Sequence, residues 1–147
     1  IMKMKSYSCL IVHFLFLKIF NENWENKGHM EYAAAKAMNM NVHFIPKSCT
    51  DYAISFLKSS FGQRLKNSLT FRIVTDMNRE NERPVHNAGA RLIKQLRQLG
   101  FRNHCMVFTS NKQKGDDILA QELTDYEREN TIVTVNTTDL RQFVNFQ

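Results

Sequence analysis

Hydrophobic and polar positions run along this chain in two rhythms, one of period two or continuous, the other of period three to four. The run Leu10 to Phe16 is continuous, rich in branched and aromatic residues, and predicts a strand covered on both faces. From Asn23 to Asn39 the apolar positions Trp24, Met30, Ala33, Ala34, Ala37 and Met38 recur at helical spacing. Asn41 to Ile45 predicts a second strand, stopped by Pro46. Ser48 or Thr50 can cap the next helix, whose apolar stripe is Ala53, Phe56, Leu57 and Phe61. Thr70 to Thr75 is a third strand, ending at Asp76, and the polar stretch Met77 to Asn87 reads as a loop. Ala88 to Leu99 is a helix with Ala88, Leu92, Leu96 and Leu99 inward, Arg91, Lys94 and Arg97 outward, and Gly100 at C′. His104 to Thr109 is a fourth strand and Lys112 to Thr124 a further helix, with Ile118, Leu119 and Leu123 inward. Thr131 to Val135 is a fifth strand, and Thr137 caps a final helix through Leu140, Phe143 and Val144.

Strands that alternate with helices call for a parallel sheet with helices on both faces, joined by right-handed crossovers. The expectation is an α/β three-layer sandwich with a five-stranded parallel sheet of order 2-1-3-4-5, flavodoxin-like. Residues 1–147 then form a single domain, with 1–8 a flexible N-terminal extension. In such sheets ligands sit outside the carboxyl ends of the strands. The residues just after Phe16, Ile45, Thr75, Phe108 and Val135 therefore carry the interest.

Composition narrows the class. At 147 residues, with 43% hydrophobic and 23% charged, the chain can bury one core and is neither fibrous nor disordered. Lys3 and Lys5 precede the apolar N-terminal run as in a signal peptide, but the run is too short to span a bilayer, which needs about 20 residues. No small-residue cleavage site follows it, so a buried strand is the reading adopted and the expected compartment is cytoplasmic. Cys9, Cys49 and Cys105 are odd in number and far apart, which argues against a disulfide framework or a zinc knuckle. Twenty basic against 14 acidic residues leave +6, yet the basic side chains are not interleaved with aromatics, so nucleic acid is not expected as a partner.

Asp76 closes the middle strand. A carboxylate there is screened from water and near helix N-termini, so it can accept a phosphoryl group or hold a cation, and Thr109 and Ser110 could contact the anion formed. The plainer alternative is a loop-capping carboxylate and a threonine that satisfies backbone groups.

The five-strand succession, the apolar strand leading into Asp76 and the Met106-Val-Phe-Thr109-Ser110 strand end together resemble the receiver domain of two-component response regulators. The resemblance runs from about Leu10 to Phe146 on short motifs. It implies Asp76 as phospho-acceptor and Thr109 as the hydroxyl that senses it, 33 positions on (109 − 76). It also implies a protein partner bound through the helix Lys112–Thr124, the strand Thr131–Val135 and the last helix. Two family elements are missing. Receivers carry two acidic residues after strand one, where this chain offers only Asn21 and Glu22, so Asp76 and Glu22 make a weak magnesium site. The lysine that ends strand five has no counterpart in Val135-Asn136-Thr137-Thr138, although Lys112 or Arg79 could substitute. The resemblance thus implies a degenerate receiver in which phosphorylation is weak or absent, no cofactor is required beyond weakly held Mg2+, and catalysis is not the role.

The loop Asn78 to Asn87 offers Arg79, Arg83 and His86 beside Asp76, a set suited to phosphates. It supports an alternative, a nucleotide-binding or NAD-processing enzyme domain similar to Toll/interleukin-receptor modules, against a plain solvated loop with internally compensated charges. Neither G-x-G-x-x-G nor G-x-x-x-x-G-K-[ST] occurs, so dinucleotide-fold and P-loop chemistry have no motif here.

Overall fold

A computed structural model describes residues 9–13, 16–19 and 43–144. The expected first helix, 23–39, the candidate ligand Glu22 and the extension 1–8 lie outside the described residues.

The chain is α/β, with a parallel sheet and helices. Strands β1 (Cys9–His13), β2 (Phe16–Ile19), β3 (His43–Pro46), β4 (Arg72–Asp76), β5 (Cys105–Phe108) and β6 (Thr131–Thr134) join in the order β3-β1-β2-β4-β5-β6. β2, β4, β5 and β6 run parallel to one another, whereas β1 is antiparallel to β2, β3 and β4. The five-stranded, wholly parallel sheet expected from the sequence is therefore not what the chain builds. The apolar run read as one strand is divided between β1 and β2, paired antiparallel with Ile11 opposite Leu17. A uniformly apolar segment carries no alternation from which such a reversal could be read.

Helices α1 (Thr50–Lys58), α2 (Ser60–Arg64), α3 (Ala88–Gln98), α4 (Lys112–Glu122), α5 (Asp125–Arg128) and α6 (Thr137–Val144) connect the strands. One predicted helix is interrupted: the Ser59 hydroxyl accepts the Gly62 N–H at 3.1 Å and starts α2 afresh. The helix predicted over Lys112–Thr124 forms as α4, two residues shorter, and Thr124 then opens α5 through a capping box with Glu127.

Alternation along the strands sorts the two sheet faces. Ile73, Cys105, Val107 and Val133 belong to one buried cluster with Ala53 and Leu57 of α1, Leu92, Ile93 and Leu96 of α3, and Leu119 of α4. Arg72, Val74 and Asp76 alternate with these residues and so face the other way. That second face meets α6: the Arg72 guanidinium lies 4.9 Å from the Phe143 ring centre, and Thr134 Oγ1 donates to Asp139 at 2.8 Å.

Arg97 departs from the outward position expected of it. It is only 6% exposed. Its Nε donates to Glu127 O, Nη1 to Phe101 O and Asn103 O, and Nη2 to Glu129 O and Thr131 Oγ1. All five N–H groups are thus used at the amino ends of β5 and β6. Gly100 follows with φ 92°, the left-handed conformation that ends α3.

Candidate functional site

β4 is an interior strand, between β2 and β5, and it brings Asp76 to its carboxyl end. The Met77 N–H still bonds Phe108 O at 3.1 Å, so the strand pairing holds the chain straight through the aspartate. Asp76 is 4% exposed. Helix α3 starts against this strand end: Gly89 N–H donates to Met77 O at 3.0 Å, and a Cβ at Gly89 would stand 2.6 Å from Asp76 O. Glycine is required there by the closeness of two backbones.

The register sets Phe108 beside Asp76, and Thr134 beside Phe108. Thr109 is half-buried one residue further on, and its methyl lies with the Val133 side chain where a Cβ on Gly115 would meet both at 3.0 Å. Val133 belongs to the α1, α3 and α4 face, opposite the face that alternation assigns to Asp76. The Thr109 methyl thus packs on α4 on the opposite sheet face, and Phe108 stands beside Asp76 in the register. Ser110 is exposed, and Asn111 after it accepts the Lys114 N–H at 3.0 Å to cap α4.

The loop residue Arg79 departs furthest from its sequence reading. It is fully buried. Its Nη1 donates to Thr75 Oγ1 at 2.6 Å and to Asp76 O at 3.2 Å, its Nη2 to Ala88 O at 2.8 Å and to Thr50 Oγ1, and its Nε to Glu82 Oε2. Five donors meet five acceptors among the described residues. Arg79 therefore presents no open fork to a phosphate, and it cannot stand in for the missing strand-five lysine. Lys112, the other substitute considered, pairs with Asp116 at 3.0 Å on the surface. Arg83 is exposed and donates to the carbonyls of Glu80 and Glu82 in its own loop; His86 is exposed.

Glu82 has no site role in the sequence reading, which gives Thr50 only as a helix cap and Thr75 only as a strand residue. The Glu82 carboxylate accepts the Thr50 N–H at 3.0 Å, so this loop residue caps α1, with neither Ser48 nor Thr50 as the capping side chain. Burial alone would raise its pKa, but the hydrogen bond and charge of Arg79 and the donors of Thr50 outweigh burial and hold the carboxyl below its ordinary range. The one sequence signal was a glutamate three positions after an arginine in a loop too long for a simple connection.

Among the described residues no group of three His, Cys, Asp or Glu side chains comes together as a metal site. Burial pushes the Cys105 thiol up, against a weaker opposing pull from Arg97 and Arg102; a thiol so placed is an inert core group. No described helix is long and apolar enough to cross a membrane. Compared with known proteins, the chain matches no family model, no curated sequence and no solved structure.

Proposed function

We propose that the chain is a receiver-like, flavodoxin-like signalling module that acts by binding a protein in the cytoplasm, with phosphorylation of Asp76 weak or absent. The observation that carries this reading is the buried Asp76 at the carboxyl end of an interior parallel strand, flanked by the end of β5. Two features favour the degenerate form. The rim after β6 holds Thr134 hydrogen-bonded to Asp139, in the region where the resemblance calls for a lysine. Arg79 and Lys112 are engaged with protein groups. Phosphoryl transfer to an aspartate depends on neutralising the charge that develops in the transition state, and these side chains offer little of it.

The partner surface in this reading comprises α4, β6 and α6. It carries two exposed apolar side chains on and beside the β6 edge, Ile132 at 49% and Val135 at 45%. Apolar groups of this size on a sheet edge suit a protein contact better than a small anionic ligand.

Incubation of the purified chain with a small phosphodonor and magnesium tests the proposal. The expected result is far less than one acid-labile phosphate per chain; stoichiometric phosphate on Asp76 would overturn the degenerate assignment. A thermal-shift screen completes it, because a ligand that binds the folded state raises its melting temperature. Stabilisation by NAD or a nucleotide would replace the binding module with an enzyme.

A further inference from the structure

The segment 77–87 is far from loosely draped over the sheet. Asn81 Nδ2 donates to Ser48 O at 2.9 Å, tying it to the residues before α1. Arg91 Nη1 reaches back from α3 to Pro84 O at 2.6 Å and to Asn87 Oδ1, and the Arg79 N–H bonds Val85 O at 3.1 Å. Beside Arg79, which itself bonds Thr50, Thr75 and Ala88, the side chain that joins these elements is Glu82. Its Oε2 takes the Thr50 N–H of α1 and the Nε of Arg79, and its Oε1 faces Arg91 Nη2 of α3 at 3.4 Å. A single carboxylate therefore satisfies an otherwise orphaned helix donor, neutralises a buried guanidinium and holds a second arginine. By contrast, Glu80, Asn81, Arg83, Pro84 and His86 are exposed and bury little apolar surface.

We propose that Glu82 is a catch that holds segment 77–87 shut against α1, α3 and the end of β4, and that removing its charge opens this segment while the rest of the fold stays closed. Opening would uncover the Arg79 fork and the backbone of Asp76, so the device governs access to the rim assigned above. Its significance rests on that reading, whereas the opening itself does not.

The closing experiment is hydrogen–deuterium exchange on the full chain at neutral pH, comparing wild type with Glu82→Gln and Asn81→Ala. In Glu82→Gln the amides of 78–87 and of Thr50 should exchange at least about tenfold faster, with the Leu92–Leu96 and Cys105–Phe108 amides unchanged. Asn81→Ala removes one exposed strap and no buried group, and should speed the same amides by about two- to fivefold. Unchanged exchange in segment 78–87 of the glutamine variant, or a rise spread evenly over α3 and β5, overturns the catch. Should Glu82→Gln fail to fold, Asn81→Ala decides: a rise confined to the segment supports the proposal and none refutes it. Exchange reads the segment alone, so the outcome is separate from any result on phosphorylation of Asp76.

Discussion

Thr50 and Glu82 are 32 positions apart, yet the backbone N–H that begins α1 ends on the Glu82 carboxylate at 3.0 Å. The same oxygen accepts from Arg79 Nε, so the loop after β4 supplies both the cap of a distant helix and the counter-charge of a buried guanidinium. A carboxylate with these two donors is worth more ionised than neutral.

Stability should accordingly depend on pH through Glu82. Its folded pKa lies below its unfolded value, so the ionised carboxylate contributes stability that is fully present above the ordinary glutamate range. That contribution is lost as pH falls through the depressed folded value. Urea unfolding of wild type and Glu82→Gln should differ by about 2–3 kcal/mol near neutral pH, as for a hydrogen-bonded charged group. The difference should shrink as pH is lowered to about 3, below the ordinary range. A gap that stays constant over this span would show that Glu82 is not ionised in the folded chain.

Arg79 should not tolerate lysine. Lysine keeps the charge but has three donors on one nitrogen, against the five that reach Thr50, Thr75, Asp76, Glu82 and Ala88. Arg79→Lys is expected to cost about 2–3 kcal/mol, and Arg79→Met, which strands Glu82, about 3–5 kcal/mol. Chemical denaturation of the two variants measures both. Equal and small losses would contradict the saturated arrangement.

Two glycines near the rim should respond very differently to alanine. A Cβ at Gly89 meets the backbone of Asp76 and Met77 at 2.6 and 3.0 Å, and backbone cannot step aside. At Gly115 the nearest atoms are the ends of the Thr109 and Val133 side chains, both at 3.0 Å. Gly89→Ala should therefore lift α3 off the end of β4 and cost about 3 kcal/mol or more, whereas Gly115→Ala should cost about 1 kcal/mol. A comparison of melting temperatures suffices, and similar shifts would argue against the close approach of α3 to Asp76.

Several of these relationships were legible in the chain and others were not, for physical reasons. Asp76 stands out because a run of branched residues ends on it, and the length of the segment after it marks that segment as more than a connection. The strands β4, β5 and β6 follow from apolar runs bounded by polar ones. The antiparallel pairing of β1 with β2 does not, since His13-Phe14-Leu15-Phe16 contains no Gly, Pro, Asn or Asp to announce a reversal. Buried arginines are hidden for another reason: charge reads as surface in any pattern argument, and only the fold reveals the carbonyls that make burial tolerable. Arg97 sits one turn after Ile93 on a helix whose buried arc is broad, running through Ala88, Gly89, Ala90, Leu92, Ile93 and Leu96. The stripe Ala88, Leu92, Leu96, Leu99 describes only part of that arc.

Arg97 supplies the last test, because its surroundings differ in kind from those of Arg79. Its five acceptors among the described residues are neutral: four backbone carbonyls and the Thr131 hydroxyl. Those carbonyls belong to Phe101 and Asn103 before β5 and to Glu127 and Glu129 before β6, so one side chain sets the spacing at which two adjacent strands begin. Methionine would fill the volume but leave the carbonyls unpaired in a buried place, at about 1–3 kcal/mol for each that water cannot reach. Arg97→Met should thus cost at least about 3 kcal/mol near neutral pH, with only the small pH dependence that follows from relieving His104, whose pKa burial, Arg72 and Arg97 lower. The contrast is with Glu82→Gln, whose cost fades in acid. If Arg97→Met is instead neutral in urea unfolding, the carbonyls must find water, and the amino ends of β5 and β6 are open to solvent.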